Sequence, residues 1–278
     1  MQLHNYFRSG TSHRVRIALN IKGLPYDYVA VDLRREQHLA AEFTGINPQG
    51  LVPALVHEGK VLIQSPAIIE WLEECHPLPA LLPREPDARA RVRAMAAVVG
   101  CDIHPLNNRR VLEYLRHEFG CDEAAVEAWC GRWIAAGFDA LEEMLAADPA
   151  RGDYCFGGAP TIADVYLVPQ VESARRFKVD LSRWPLIGAA DAACGRLEAF
   201  RSAAPALALG AIHPLRHLPV DGGRQPQQQH EGRIPGRVEQ VARDEQVDLL
   251  DPPAERQAVQ KKNDREERDE RQRVERHP

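Results

Sequence analysis

Apolar and polar residues alternate in the manner of half-buried strands only in the part of the chain that ends at Ile63. From Asp87 onward the apolar repeats have the spacing of helices. A chain patterned this way can build one small mixed sheet with helices against it, followed by a layer made of helices alone. The spacing predicts strands at 2–6, 26–33, 52–57 and 60–63, the last two forming a hairpin across Glu58 and Gly59. Between them it predicts a helix that buries Val15, Ile17, Ala18, Leu19 and Ile21 and ends at Gly23, a short helix or turn at 36–44, and a helix over 65–75. Pro77, Pro79, Pro83 and Pro86 then mark a linker. The helical part is read as 88–101, 107–118, 123–147, 162–176 and 186–201. Within it Thr161 and Asp164 fit a capping box, a folding signal to which no catalysis is assigned.

The 278 residues, 44% of them hydrophobic, suffice for two small domains with real cores. A net charge of −5 argues against nucleic acid as the main partner. No run of apolar residues is long enough to span a membrane, and no basic start precedes an apolar stretch, so neither a membrane nor secretion is expected. The six cysteines have no Cys-x-x-Cys spacing and read as reduced thiols of a cytoplasmic protein; no metal site is expected. The last seventy or so residues carry thirteen basic and fourteen acidic side chains after Arg216 and no aromatic after Phe200. Such a segment cannot bury enough apolar area to offset chain entropy, and 208–278 is expected to be a disordered polar tail.

The first strand and helix enclose a short turn, Arg8-Ser9-Gly10-Thr11-Ser12. Two hydroxyls, an arginine and the positive end of a helix meet there, which suits a reactive anion such as a thiolate. The turn carries no cysteine, so the thiol must come from a ligand. Ser9 and Thr11 also fit the plainer role of helix caps.

This stretch, continued by Arg14-Val15-Arg16-Ile17-Ala18-Leu19, resembles the N-terminal motif of zeta-class glutathione transferases, whose pattern is Ser-Ser-Cys followed by Arg-Val-Arg-Ile-Ala-Leu. Ser9-Gly10-Thr11 departs from that pattern in lacking the second serine and the cysteine. The resemblance covers residues 1 to about 207 and implies a thioredoxin-like α/β domain over 1–83, an all-α substrate domain over 84–207, glutathione as cofactor and a homodimer. It also implies that Ser9 and Thr11 activate the thiol and that the Val52–Pro53 bond is cis, turning the Val52 backbone toward the cysteinyl part of glutathione. Gln64 and Ser65, at a helix start, suit the γ-glutamyl carboxylate, and His38 and Gln49 are weaker candidates for the glycyl end. His104 and Asn108 are further candidates for the glutathione site.

Four arginines, Arg8, Arg109, Arg110 and Arg176, are candidates for holding the carboxylates of a small dicarboxylate substrate, since guanidinium groups grip carboxylates bidentately. Only one of the neighbours Arg109 and Arg110 can face a cleft, because adjacent helical positions diverge by roughly 100°. Arg176 could instead pair with Glu172 on the helix surface. The implied activity is glutathione-dependent cis-trans isomerisation of a maleyl compound, with Ser9, Thr11, Arg8 and Arg176 as catalytic residues. Maleylpyruvate is placed ahead of maleylacetoacetate on the run His104 to Arg110. A general glutathione transferase, which would need a wide apolar pocket, and a noncatalytic binding module, which would have lost the hydroxyls, are the alternatives.

Overall fold

The computed structural model describes residues 1–149 and 151–210, and the expected tail at 208–278 lies almost wholly outside them. Its sheet has the strand order β2-β1-β3-β4, with β1 at Gln2–Asn5, β2 at Asp27–Ala30, β3 at Ala54–His57 and β4 at Lys60–Ile63. β1 runs parallel to β2 and antiparallel to β3, and β3 runs antiparallel to β4. His4 faces Ala54 and Ala54 faces Ile63, so the ends of β1 and β4 and the start of β3 lie at one edge of the sheet. Helix α1 (Gly10–Ile21) starts beyond β1 and α3 (Ser65–Cys75) beyond β4, so two helix N-termini converge on that edge. The second strand is shorter than its sequence suggests, and the expected turn at 36–44 is a 3-10 turn followed by the short α2 (Ala41–Thr44).

Leu3, Leu19, Leu55, Ile68, Ile69 and Leu72 are buried between the sheet and its helices, each worth roughly 1.5–3 kcal/mol relative to exposure. The linker is latched to this layer. Glu73 on α3 accepts the Leu81 and Leu82 N–H groups at 3.0 and 3.2 Å, and it pairs with buried Lys22, which also donates to the Pro79 carbonyl at 2.7 Å.

The helical layer follows as α4 (Pro86–Ala97), α5 (Arg109–Glu118), α6 (Glu123–Ala146), α7 (Ile162–Arg176), α8 (Pro185–Gly195), α9 (Glu198–Arg201) and α10 (Pro205–Gly210). At its centre α7 packs against α1, α4 and α8. Its first turn is closed by Asp164, which accepts the Thr161 N–H at 2.8 Å and hydroxyl at 3.0 Å, as the capping box requires, and also the Cys155 N–H at 2.8 Å.

Beyond α4 the chain widens into a π turn at Val98–Ile103, where the helix was expected to run on. Two glycines make room for it. A Cβ on Gly137 of α6 would sit 2.4 Å from the Ile103 side chain, and one on Gly100 would sit 2.9 Å from the Tyr166 ring. The expected final helix is likewise split, at Arg196 and Leu197, into α8 and α9.

Candidate active site

The sheet edge brings Ser9, Val52 and Ser65 together. Ser9 caps α1, its Oγ accepting the Ser12 N–H at 3.3 Å. Its hydroxyl lies 2.9 Å from that of Thr11, and the Thr11 hydroxyl donates to the Val52 carbonyl at 3.0 Å. A carbonyl only accepts, so the Thr11 proton is committed to Val52 and the proton between the two hydroxyls belongs to Ser9. Ser9 therefore holds the one hydroxyl proton that a rotation can redirect outward. The Val52–Pro53 bond is cis, as expected from the resemblance.

On the neighbouring strand end, the Gln64 amide donates to Gln49 Oε1 at 2.6 Å. Gln64 takes the left-handed φ of 69° as the chain turns into α3. Ser65 is 2% exposed and its Oγ has no hydrogen-bond partner, although it stands in the first turn of α3. Gly50, at φ 61°, lets its loop approach the His38 carbonyl, where an added Cβ would lie 3.0 Å away; the His38 Nδ1 is buried and unpaired. Unpaired buried polar atoms of this kind are costly alone and are satisfied by a ligand that brings donors and acceptors.

A second region opens beside the first, where α1 meets α7 and the segment after the π turn. The cavity there has a volume of about 430 Å³ including its mouth. Arg8, Gly10, His13 and Arg14 line one side; Pro169, Gln170, Glu172, Ser173 and Arg176 of α7 line another; His104, Asn107 and Pro205 complete it. Its charge is mainly positive. Arg176 makes a hydrogen bond to Ser173 Oγ at 3.2 Å and its guanidinium lies 5.2 Å from the Phe177 ring; no ion pair with Glu172 is found among the described residues. The Arg176 residue surface is open while its guanidinium is crowded by protein, so burial and then the Arg8 charge lower its pKa. Burial raises the pKa of Glu172, against the pull of Arg176. His104 is held neutral, its pKa pushed down to about 3 by burial and by Arg14 and Arg176. His13, 3.5 Å from Glu172, is likewise at about 3 through burial, Arg16 and Arg14.

Three expected residues stand elsewhere. Arg109 is drawn away from the cavity by the Leu33 carbonyl and by Glu113 at 3.3 Å, and Arg110 is exposed. Asn108 caps α5, accepting the Arg110 N–H at 3.2 Å, so its neighbour Asn107 lines the cavity instead. Sequence reasoning also passed over His13, Arg14, Gln170 and Glu172, which sit on helices whose apolar residues dominated the pattern. The signal that could have found Arg14 is a charged residue directly preceding the apolar face of α1.

A thioredoxin-like sheet whose edge carries a hydroxyl relay, followed by a helical layer lined with arginines, defines a glutathione transferase. The chain belongs to this family, and to its zeta class. Residues 8–75 match the family model for the glutathione S-transferase N-terminal domain and 123–209 that for the C-terminal domain. The chain is 69% identical over 206 residues to a maleylpyruvate isomerase of Ralstonia sp, covering 74% of this chain and 97% of that one. With the maleylacetoacetate isomerase of Pseudomonas aeruginosa it shares 50% identity over 211 residues, or 74% of this chain and 96% of that one. Among solved structures, the holo form of a zeta-class bacterial maleylpyruvate isomerase superposes with a TM-score of 0.74 at 68% identity, covering 74% of this chain and 98% of the other. A maleylacetoacetate isomerase of Methylobacterium extorquens, with bound malonate and glutathione, superposes at 0.72 with 36% identity, covering 74% and 97%.

Proposed function

We propose that this protein is a glutathione-dependent isomerase that converts maleylpyruvate to fumarylpyruvate. The observation that carries the reading is the juxtaposition of the Ser9 hydroxyl relay with a cavity lined by Arg8 and Arg176. The 69% identity to a maleylpyruvate isomerase, against 50% to a maleylacetoacetate isomerase, supports maleylpyruvate over the longer diketo acid.

The residues at the sheet edge fit glutathione. Ser65 Oγ and the N-terminus of α3 suit its γ-glutamyl carboxylate, with Gln64 and Gln49 beside them; Val52 offers backbone groups to the cysteinyl part and His38 an unpaired ring nitrogen. Glutathione, when bound, supplies a thiolate that adds to the cis double bond and leaves again after rotation about the carbon–carbon single bond. The chain's own part is electrostatic. Ser9 rotates its proton from Thr11 to the sulfur, and Thr11, fixed on Val52, keeps Ser9 in place. Arg8 and Arg176 hold the carboxylates and stabilise negative charge as it spreads to the keto oxygen. Neutral His104 adds no competing cation to this cluster and shapes the wall next to Gly10.

In this reading the enzyme is a homodimer, and its six free cysteines suit a reducing cytoplasm. No helix among the described residues is long and apolar enough to cross a membrane. The test is the ultraviolet assay of purified protein with maleylpyruvate and with maleylacetoacetate, with and without glutathione. Faster glutathione-dependent isomerisation of maleylpyruvate is expected; faster turnover of maleylacetoacetate, or none of either, would overturn the assignment. Light scattering should report twice the chain mass.

A further inference from the structure

Two arginines of α1 are buried in opposite circumstances. Arg16 is 1% exposed, and its guanidinium donates to Asn5 Oδ1, to the Phe7 carbonyl and to the Ala203 carbonyl, each at 2.9 Å. Arg14, two residues earlier, is 2% exposed and makes no hydrogen bond and no ion pair among the described residues. Its only close partner is the Tyr166 ring, 4.3 Å below the guanidinium carbon. Yet Arg14 lines the same cavity as Arg8 and Arg176.

A guanidinium has five N–H donors in one plane, and burying it without acceptors is costly. Stacking on Tyr166 covers a face of that plane and leaves the edge, where the N–H groups point, for an acceptor. The buried Nε2 of Gln170, in the same wall, is also a donor without a partner. Donors outnumber acceptors on this inner side, and the one carboxylate of the cavity, Glu172, stands by His13.

We propose that Arg14 is the inner anchor of the substrate, gripping one carboxylate of the dicarboxylate in the guanidinium plane while Arg8 and Arg176 take the other end. This assignment rests on the dicarboxylate reading of the cavity given above. It accounts for why the charge is buried at all: an Arg14 kept only for packing would be expected to have found an acceptor, as Arg16 has. It also supplies the third cation that Arg109 and Arg110 do not bring.

The test uses the full chain, with malonate as the probe in calorimetry and thermal melting, and maleylpyruvate in kinetics. Arg14→Met should melt at a higher temperature than the wild type without ligand, because an uncompensated buried charge is gone. It should bind malonate at least ten-fold more weakly, raise the KM for maleylpyruvate at least ten-fold, and hold glutathione within two-fold of the wild-type affinity. Arg14→Lys keeps a charge but lacks the planar fork, and should lose malonate affinity to a similar degree. Wild-type malonate affinity in either variant overturns the assignment, as does an Arg14→Met protein that is unfolded or melts lower and loses glutathione in parallel. A wild-type protein that neither binds malonate nor isomerises a maleyl substrate would instead sink the proposed function itself.

Discussion

Replacing Ser9 by alanine should raise the pKa of bound glutathione while leaving its affinity nearly unchanged. In the relay, Thr11 holds the Val52 carbonyl at 3.0 Å and Ser9 lies 2.9 Å from Thr11, so Ser9 carries the only hydroxyl proton free to turn toward sulfur. Losing a hydrogen bond to a charged acceptor costs about 1.5–3 kcal/mol. At about 1.36 kcal/mol per unit, the bound thiol pKa should rise by roughly one to two units. The Ser9 cap of α1 is lost as well, an effect of about 1 kcal/mol, so the melting temperature should fall by a few degrees. The assay is a pH titration of the thiolate absorbance in the glutathione complex, read beside glutathione affinity by fluorescence. Thr11→Val provides the contrast. It removes the oxygen that accepts from Ser9 and the bond to Val52, so it should weaken glutathione binding while leaving the thiol pKa level or lower. Should Thr11→Val raise the thiol pKa as Ser9→Ala is expected to, the proton assignment in the relay is wrong.

Three further outcomes follow from the geometry. Arg176→Ala should raise the KM for maleylpyruvate about ten-fold or more, the loss of a charge-assisted pair, yet spare conjugation of 1-chloro-2,4-dinitrobenzene; equal losses on both would point to a damaged fold. Asp164→Ala should strip acceptors from two buried backbone N–H groups and the Thr161 hydroxyl at roughly 1–3 kcal/mol each, enough to unfold the chain, and a soluble variant with wild-type melting would refute this role. His13 and His104 have folded pKa values of about 3 against 6.5 unfolded, so the unfolded chain binds protons that the folded one refuses and stability falls as pH drops from about 6.5 toward 3. Two such protons give a slope of up to about 2.7 kcal/mol per pH unit, which the double change His13→Gln, His104→Gln should flatten in urea titrations; an unchanged slope would show that other groups set it.

How far the sequence carried varies by element for identifiable reasons. Helices α3 and α7 have the boundaries expected, because Ser65-Pro66 and the Thr161–Asp164 capping box are local start signals that need no tertiary help. The π turn was hidden because it depends on Gly137, over thirty residues away, making room for Ile103. In the site, Ser9, Thr11, Val52 and Ser65 were legible because strand ends and helix starts fix them. Arg109 was not, since its direction is decided by Leu33 and Glu113 rather than by helical phase. Asn108 was misplaced by one residue: an asparagine at the start of a helix is a cap before it is a ligand.

The π turn makes this part of the chain intolerant of a change in length. Its extra residue sets the angular phase of everything after it, and His104 and Asn107 reach the cavity only from that phase. Deleting one residue between Val98 and Ile103 would let the turn close to ordinary helical geometry, and the following side chains would swing by about 100° around the axis. In the connection between α5 and α6, by contrast, an added residue would be absorbed at little cost. A chain one residue shorter at the π turn would keep its core and lose one wall of its substrate cavity.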